Sequence, residues 1–494
     1  MRCGEVIPNI EMFCNPYKYI ILYHITIVTQ YHKRKKMEPV IIISVTLVVF
    51  ALSLYTTSVL ASISNPLTSE SSSCISFDSS ERVITVTCKT STLTDIYNQI
   101  NDKNIIDKET QDGVWLLNAG IVIEKDAKLI IDQGDTKWLK MFAGQTSSNV
   151  ADDTNGDSEE EDDSESAHAI KVHGSLIIDS VKITSWDPVA NGYIKFEYDL
   201  LPGREYEHTG IDAIPRPYIR VEDDATGTTN ITNSEIAYLG YECGGGCSGI
   251  SYYGDHDEVD DGDDNDSRDD EDVDIVADGT GVPQQGTSIL KDNHIHHNRF
   301  GFYSVGMGNM ILEDNHVHHN FMYGFDPHTG THDMIIRNNT VHDHGAMGII
   351  CSLNCYDVVI ENNKVSNSAG SGIMFSRNMT NSIARDNYVS NEEQCIFISQ
   401  SHNNEVYNNT VNGCGNGIYL KSEASNNSIF DNTIQNVTGS AIKLNDGAAD
   451  NLVYSNNIVM PSSAEEEAIS NEDQDSNTFE DNTVTTNSTS YLPS

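Results

Sequence analysis

The stretch ILEDNHVHHN (residues 311–320) nearly repeats the stretch ILKDNHIHHN (289–298) that precedes it in the chain. Similar units follow, each with an Asp-Asn or Asn-Asn pair. The second residue of these pairs falls at Asn293, Asn315, Asn339, Asn363, Asn387, Asn409, Asn432, Asn457 and Asn482. The spacing is 22 to 25 residues. A fixed period of this length is typical of a solenoid, in which each unit forms one coil.

Each unit has room for about three short strands with turns between them. A single unit cannot bury its own apolar side chains, so the coils must stack and enclose a column of Ile, Val and Phe. The predicted fold is therefore all-β, a parallel β-helix, because a β-propeller needs about 40–50 residues per blade. We expect the recurring asparagine to adopt the left-handed backbone of a tight turn. Its side chain is expected to hydrogen-bond along the stack.

The repeat sets the predicted domain boundaries. Residues 113–460 form the β-helix, whose first coils contain VWLLNAGIVIEKDAKLIID (114–132). Residues 62–112 form an N-terminal segment with a capping helix at LTDIYNQIN (93–101), since an open sheet edge needs cover. Residues 461–494 are expected to be a last irregular coil and tail.

The N-terminal 61 residues have the pattern of a targeting segment. KRKK (33–36) precedes the apolar stretch VIIISVTLVVFALSL (40–54), and small residues follow up to Ala61. This order predicts a secretory signal peptide, with residues 1–36 as an upstream extension if Met37 is the start. The alternative is an uncleaved membrane anchor. Both place the domain outside the cytoplasm, as a secreted, periplasmic or cell-surface protein.

Cysteine usage agrees with export. Eight cysteines follow residue 61, and an even number outside the cytosol predicts disulfides. We expect the local pairs Cys74–Cys88, Cys243–Cys247, Cys351–Cys355 and Cys395–Cys414. A cysteine metal cluster is disfavoured because no Cys-x-x-Cys pair is present. Sequons at Asn230 and Asn436 predict a glycoprotein.

The formal charge of −45 is concentrated in two runs. Residues 151–166 and 255–278 hold 23 of the 74 acidic residues. Such runs cannot bury apolar surface and are predicted to be solvated surface insertions, with loose calcium binding as the alternative. The charge excludes nucleic acid as a partner, because phosphate is repelled.

One unit departs from the repeat. YGFDPH (323–328) brings a proline and three titratable side chains into a single coil. His328 lies 13 residues after its unit's asparagine, and Arg377 lies 14 residues after its own, two coils later. Equivalent positions of adjacent coils are about 4.8 Å apart. The offsets therefore predict one external groove that holds the following residues: Tyr303, Tyr323, Asp326, His328 and Arg377.

This set suits removal of a proton next to a carboxylate. Histidine is a general base near neutral pH, tyrosine can carry a proton on the opposite face, and arginine binds a carboxylate bidentately. On a uronic acid the proton is at C5; its return from the other face gives an epimer, and loss of the 4-linked sugar gives a lyase product. We expect Lys291 and Arg299 to offset the acidic field. The plain alternative is that Tyr323 and Asp326 are turn residues and His328 is a surface histidine.

YGFDPH also resembles the Tyr-Gly-x-Asp-Pro-His motif of the mannuronan C5-epimerases, and the resemblance extends over roughly residues 112–460. It implies a right-handed β-helix and conversion of polymeric mannuronate to guluronate. His328 would be the base, Tyr323 the opposite-face acid or base, and Asp326 a residue that shapes the site. Arg377 would bind a substrate carboxylate. Apart from the resemblance, we expect Tyr303, Lys291 and Arg299 to bind substrate as well. One departure is Leu353, which stands where the periplasmic members of the family have an arginine.

We expect no required cofactor, with calcium as an option, and a monomer that acts on an anionic polysaccharide. Two other functions stay open: a polyuronate lyase or hydrolase on the same scaffold, and a non-catalytic surface protein that binds glycans or metal.

Histidines recur at three positions of the coils. They are expected to form an exposed ladder of turn residues without a metal, and zinc or copper binding is the alternative. The histidines concerned are His294 and His316, His296, His318 and His342, and His297 and His319.

Overall fold

The computed structural model describes residues 73–143, 168–195, 215–241, 243, 246–254, 287–464, 466–472 and 476–487. The predicted targeting segment and both acidic runs lie outside these residues. The described part consists of three sheets that wind around one axis as a right-handed parallel β-helix, as predicted. Its one helix has eight residues, and no helix there is long and apolar enough to cross a membrane.

The strands are numbered in chain order. The first sheet contains β1 (Ile75–Asp78), β2 (Val83–Val86), β6 (Gly120–Ile123), β9 (Ala169–Val172), β12 (Tyr218–Val221), β15 (Ile250–Tyr253), β18 (Phe302–Val305), β21 (Phe325–His328), β24 (Ile349–Ser352), β27 (Ser371–Ser376), β30 (Gln394–Ser399), β33 (Asn416–Lys421), β36 (Ile442–Leu444) and β39 (Ile469–Asn471). The second sheet contains β3 (Ser91–Thr92), β7 (Lys128–Asp132), β10 (Ser175–Asp179), β13 (Thr229–Thr232), β16 (Ser288–Lys291), β19 (Gly308–Glu313), β22 (His332–Arg337), β25 (Val359–Glu361), β28 (Ile383–Arg385), β31 (Glu405–Tyr407), β34 (Ser428–Phe430), β37 (Leu452–Tyr454) and β40 (Thr478–Glu480). The third sheet contains β4 (Ile106–Lys108), β5 (Val114–Leu117), β8 (Trp138–Phe142), β11 (Lys182–Trp186), β14 (Glu235–Ala237), β17 (His294–His296), β20 (His316–His318), β23 (Thr340–His342), β26 (Lys364–Ser366), β29 (Tyr388–Ser390), β32 (Thr410–Asn412), β35 (Thr433–Gln435), β38 (Asn457–Pro461) and β41 (Thr483–Asn487).

Equivalent positions of successive coils lie directly on one another. Phe302 pairs with Phe325, Phe325 with Ile349, and Ile349 with Ile373, and all four side chains are buried in the core. The strands are parallel except for the pairs β1–β2 and β4–β5 at the N-terminal end. Inward and outward side chains alternate along each strand. One residue of a strand therefore belongs to the core and the next to a surface column.

The recurring Asp-Asn pair has two separate roles. The first residue adopts the left-handed backbone, as at Asp314 with φ 57°. The second, Asn315, is buried and bonds to its neighbours: its Oδ1 accepts from the Asn293 amide at 3.1 Å, and its Nδ2 donates to Asn339 Oδ1 at 3.0 Å. The predicted hydrogen-bonded stack is confirmed. The prediction that the stacked asparagine itself is left-handed is wrong, because that conformation belongs to the residue before it.

The stack also shows that one member of the predicted asparagine series, Asn457, is wrong and that Asn456 takes its place. Asn432 donates to Oδ1 of Asn456, and Asn456 donates to Asn482, whereas Asn457 begins β38. Two adjacent asparagines fit the sequence pattern equally well. The buried Ile458 one residue further on fixes which of them points inward.

The predicted capping helix is α1 (Leu93–Ile100). Thr92 and Asp95 form a capping box, with the Thr92 amide 2.9 Å from Asp95 Oδ2. Leu93 and Ile96 are buried in the core, so the helix packs on the first coils. Strands of all three sheets lie outside the predicted range 113–460, from Ile75 to Asn487. The second-last of them, β40, has three exposed residues and thus lacks the buried pattern that identifies a coil in the sequence.

Three of the four predicted disulfides are present: Cys74–Cys88, Cys243–Cys247 and Cys395–Cys414. They fit a protein of an oxidising compartment. The predicted Cys351–Cys355 bond is wrong, since both residues are buried free thiols. Cys355 Sγ donates instead to the carbonyl oxygens of Pro327 and Ser352, at 3.6 and 3.5 Å.

Candidate functional site

The outward face of the first sheet carries the residues singled out in the sequence. His328 is the last residue of β21 and lies between Val305 and Ser352 of the adjacent coils. Pro327 is a buried strand residue rather than a turn residue, and the turn begins at Thr329 with φ 25°. The proline therefore anchors the strand in the core, and the next side chain, His328, projects outward.

Arg377 joins His328 across one intervening coil. It follows β27 in a left-handed turn with φ 50° and is exposed. Its Nη2 lies 3.2 Å from His328 Nε2, and its Nε donates to Ser352 Oγ at 3.0 Å. Leu353 holds the equivalent turn position in the coil between, with φ 66°. The guanidinium thus passes over the middle coil and is fixed there by Ser352.

These contacts define the tautomer of His328. A guanidinium has donors and no acceptor, so His328 Nε2 accepts from Arg377. The proton is then on Nδ1, which lies 2.7 Å from Thr329 Oγ1. We therefore assign a neutral ring whose Nε2 lone pair faces the surface, which is the state that a general base needs.

Aromatic rings line one side of the site. The Tyr303 ring lies 5.7 Å from that of His328, Phe300 stacks on Tyr303 at 5.7 Å, and Tyr323 stacks on Phe300 at 5.1 Å. Tyr303 therefore touches His328, whereas Tyr323 is connected to it through Phe300. The structure thus brings Tyr303, His328 and Arg377 together, with Phe300 between the two tyrosines.

Asp326 lies beneath the surface beside Tyr303, with 2% of its area exposed. Burial raises the pKa of Asp326 well above its usual range, and the positive charges of Arg377 and Arg299 only partly oppose this. Its Oδ1 has no hydrogen-bond partner among the residues that the structure describes. Burial thus favours the neutral form of Asp326, which is packed behind the outward face of the first sheet.

The other two predicted binding residues are placed differently. Arg299 is buried, and its guanidinium lies 4.7 Å from the Phe300 ring, next to the aromatic wall. Lys291 is at the end of β16 in the second sheet, where it pairs with Glu313 at 2.9 Å and Asp314 at 3.3 Å. The structure does not bring Lys291 to the group around His328. A count along the sequence does not show that the coil turns a corner between these positions.

Three contributors were missed in the sequence: Phe300, Thr329 and Ser352. Thr329 and Ser352 belong to the same rungs as His328 and Leu353, so their position was available from the repeat. Phe300 precedes the small residue Gly301, a position that had no assigned role. The signal for all three is the register of the first sheet rather than the residue type.

Cations gather on this sheet although the chain is acidic. Its described strands contain four Lys or Arg residues and two acidic residues, and one of the acids is the buried Asp326. Arg377 adds a fifth cation just after β27. Arg220 and Lys443 have partners, Glu222 at 2.9 Å and Glu472 at 2.8 Å. The four strand cations are Lys171, Arg220, Lys421 and Lys443.

The histidines that recur in the coils lie on the third sheet, in β17, β20 and β23 and just after them. Their rings are stacked, and burial lowers the pKa of His318 to about 2 and that of His297 to about 4. This region is on a different sheet from His328, so the recurring histidines and His328 belong to two separate candidate sites.

Comparison with known proteins agrees with this fold. Residues 328–484 match the family described as a right handed beta helix region, and residues 230–394 match the periplasmic copper-binding protein NosD. No curated protein matches the chain by sequence.

A solved structure of an alginate epimerase shares the fold. The periplasmic alginate epimerase AlgG has a TM-score of 0.62 and 17% identity, over 82% of this chain and 85% of that chain. The A-module of the Azotobacter vinelandii mannuronan C-5 epimerase AlgE4 has a TM-score of 0.44 and 13% identity, over 76% and 89%.

Proposed function

We propose that this protein is an extracytoplasmic C5-epimerase of a polyuronate of the polymannuronate type. The observation that carries the proposal is the contact between His328 Nε2 and Arg377 Nη2 at 3.2 Å. A base and a carboxylate-binding group thus face the same point of the surface. The three disulfides support a location outside the cytosol.

The chemistry follows from this pair. A uronate carboxylate that binds to the guanidinium takes it away from His328 Nε2 and leaves that lone pair facing the sugar. Arg377 then offsets the charge that develops on the carboxylate when C5 loses its proton. His328 Nε2 accepts the proton while Nδ1–H donates to Thr329 Oγ1 and keeps the ring in the required tautomer.

Epimerisation needs a proton donor on the other face of the sugar. Tyr323 has this role in the resemblance described above, and Tyr303, which touches His328, contributes to substrate binding. The Phe300 ring between them separates the two roles in space. Phenylalanine variants test these two roles separately. We expect Tyr323→Phe to lower kcat and Tyr303→Phe mainly to raise KM.

The cations of the first sheet suit a polyanionic substrate. Lys171 and Arg220 precede the site, and Lys421 and Lys443 follow it, along the direction in which the coils stack. A row of cations in this direction lowers the electrostatic cost of bringing a polyanion to a chain of charge −45. Because these four side chains are partly exposed to solvent, we expect polyanion binding to weaken as the ionic strength increases.

The test is incubation of the full chain with polymannuronate in deuterated water, followed by NMR of the polymer. The expected products are guluronate residues that carry deuterium at C5. Unsaturated ends that absorb in the ultraviolet would instead identify a lyase, which uses the same base but expels the 4-linked sugar. Absence of both products would falsify the catalytic proposal. Parallel reactions with EDTA and with Ca²⁺ test our expectation that no cofactor is required.

A further inference from the structure

The histidine ladder comprises His294, His296, His316, His318 and His342 on three adjacent strands of the third sheet. His294 pairs with His316, and His296 pairs with His318, which pairs with His342. The rings lie nearly parallel: those of His296 and His318 are 5.1 Å apart, and those of His318 and His342 are 5.2 Å apart. The imidazoles of successive coils thus form a continuous surface.

Diagonal contacts bring the ring nitrogens together. His294 Nε2 lies 2.6 Å from His318 Nε2, and His316 Nε2 lies 2.7 Å from His342 Nε2. One nitrogen each from His294, His316 and His318 lies within 4.8 Å of the other two. Nitrogens bound to one ion at about 2.0–2.1 Å are roughly 3.3 Å apart in tetrahedral geometry. Small side-chain rotations therefore suffice to place an ion among the three rings.

Two rings of the ladder are also held at their second nitrogen. His318 Nδ1 lies 2.7 Å from His319 Nδ1, and His342 Nδ1 lies 2.6 Å from Asp343 Oδ2. Metal-binding histidines commonly use their second nitrogen in this way, because the contact fixes the ring orientation. The Nε2 atoms are consequently directed toward one another and toward solvent.

We infer that the histidine ladder is a binding site for a divalent d-block ion, with His294, His316 and His318 as its ligands. Imidazole nitrogens prefer Cu²⁺, Ni²⁺ and Zn²⁺ over Ca²⁺, and Cu²⁺ binds most tightly in the usual order of these ions. The carboxylate of Asp343 beside His342 partly offsets the charge of the ion. The site lies on the third sheet and does not depend on the reaction proposed for the first.

The competing explanation is a chain of imidazole–imidazole hydrogen bonds, in which one proton lies between each pair of nitrogens. Such a chain predicts no specific affinity for metals. The two explanations therefore differ in a measurable quantity.

The experiment uses the full chain, stripped with EDTA and then titrated with CuSO₄ and, separately, ZnSO₄ in a calorimeter. We expect tight binding of Cu²⁺ with nitrogen hyperfine splitting in its EPR spectrum, and a higher melting temperature in the presence of Zn²⁺. His318→Gln should weaken binding at least tenfold. His294→Gln should do the same, and because His294 is exposed this change leaves the fold intact.

Two controls separate this site from others. His402→Gln changes a histidine outside the ladder, whose Nδ1 contacts Ser425, and should bind metal like the unaltered protein. The acidic runs remain in every variant and contribute equally. His328→Gln should also keep metal binding, so failure of the epimerase proposal would not affect this one. If His294→Gln and His318→Gln bind Cu²⁺ as tightly as His402→Gln does, the inference is overturned.

Discussion

The two histidine-bearing faces of the solenoid differ in what each histidine contacts. On the third sheet a histidine recurs at the same position of successive coils, so ring meets ring. On the first sheet His328 stands alone in its column, between Val305 and Ser352, and meets Arg377, Tyr303 and Thr329. Residues that recur with the period contact residues of the same type in the neighbouring coils. Residues that interrupt it create the chemically mixed groups that catalysis needs.

The buried polar residues show the same contrast. The stack through Asn339 and Asn363 continues unbroken to Asn482. A second line begins with Asn298 and Asn320 and then changes: the Asn320 amide donates to His344 Nδ1, and further on the Ser368 amide donates to Glu392 Oε2. Burial lowers the pKa of His344 to about 3 and raises that of Glu392 to about 9. An interrupted stack leaves ionisable groups in the interior.

The largest effect is expected from His328→Ala. The change removes the base but no core contact, because the ring is half-buried on the outer face. Turnover of polymannuronate should fall about 10³-fold, which is typical for loss of a general base. The measurement is deuterium incorporation at C5, with His402→Ala as the control that keeps activity. If His328→Ala stays active and has an unchanged melting curve, His328 is not the base, and the first sheet loses the catalytic role that distinguishes it from the third.

Asn363→Ala tests the unbroken stack. It leaves Asn339 without its acceptor at 2.9 Å and the Ile336 carbonyl without its donor at 2.8 Å, both in the interior. We expect a loss of about 4 kcal/mol in the free energy of unfolding, measured in urea. The matched control is Asn362→Gly at the exposed left-handed position before it, with φ 55°. That change should cost less than about 0.5 kcal/mol. Equal losses in the two variants would mean that the stack adds nothing.

Glu392→Gln tests the interrupted stack. Burial holds the pKa of Glu392 at about 9, against 4.5 in the unfolded chain, although the Ser368 amide opposes the shift. The folded state therefore keeps a proton that the unfolded state releases, and stability is full below pH 4.5 and declines as the pH rises toward 9. The glutamine cannot ionise, so it should stabilise the protein by about 3 kcal/mol at pH 7 and leave it unchanged at pH 4. Urea unfolding at both pH values measures this, and parallel pH profiles of the two proteins would contradict it.

Arg377→Lys should have the smallest effect. The lysine keeps the positive charge but cannot bind a carboxylate through two parallel hydrogen bonds, and it loses the geometry that Ser352 fixes. We expect kcat/KM to fall about tenfold, with substrate affinity restored in part at low salt. Steady-state kinetics at two ionic strengths provide the measurement. A variant as active as the unaltered protein would show that the guanidinium is not the carboxylate-binding group.

The fold could be predicted from the sequence because the period, the buried columns and the small residues all follow from one requirement. Each coil must stack directly on the coil before it. Gly324 illustrates this: a Cβ there would lie 2.4 Å from the Gly348 carbonyl oxygen, so only a small residue fits where the coils meet. The pairing of His328 with Ser352, and of Ser352 with Ser376, could likewise be counted from the repeat.

What the repeat could not supply were properties that depend on side-chain direction. Asn456 and Asn457 fit the pattern equally, and only packing decides which is buried. Cys351 and Cys355 are close in sequence, yet Cys355 hydrogen-bonds to backbone carbonyls. Lys291 was expected near the site because of its charge, but it belongs to a different sheet and pairs with Glu313. Phe300 gained its role only from the stacking of three rings.

Arg377 reaches over Leu353 to His328, so this contact requires a fixed number of coils between the two residues. His328 ends β21 and Arg377 directly follows β27, and these two strands are separated by two coil spacings, about 9.6 Å along the axis. Adding or deleting a whole coil elsewhere lengthens or shortens the rod and leaves this interval untouched. The same change at β24 would keep every sheet continuous while setting the two groups at the wrong distance for one sugar. We therefore expect a coil inserted elsewhere to leave the proposed activity intact, and a coil inserted at β24 to abolish it.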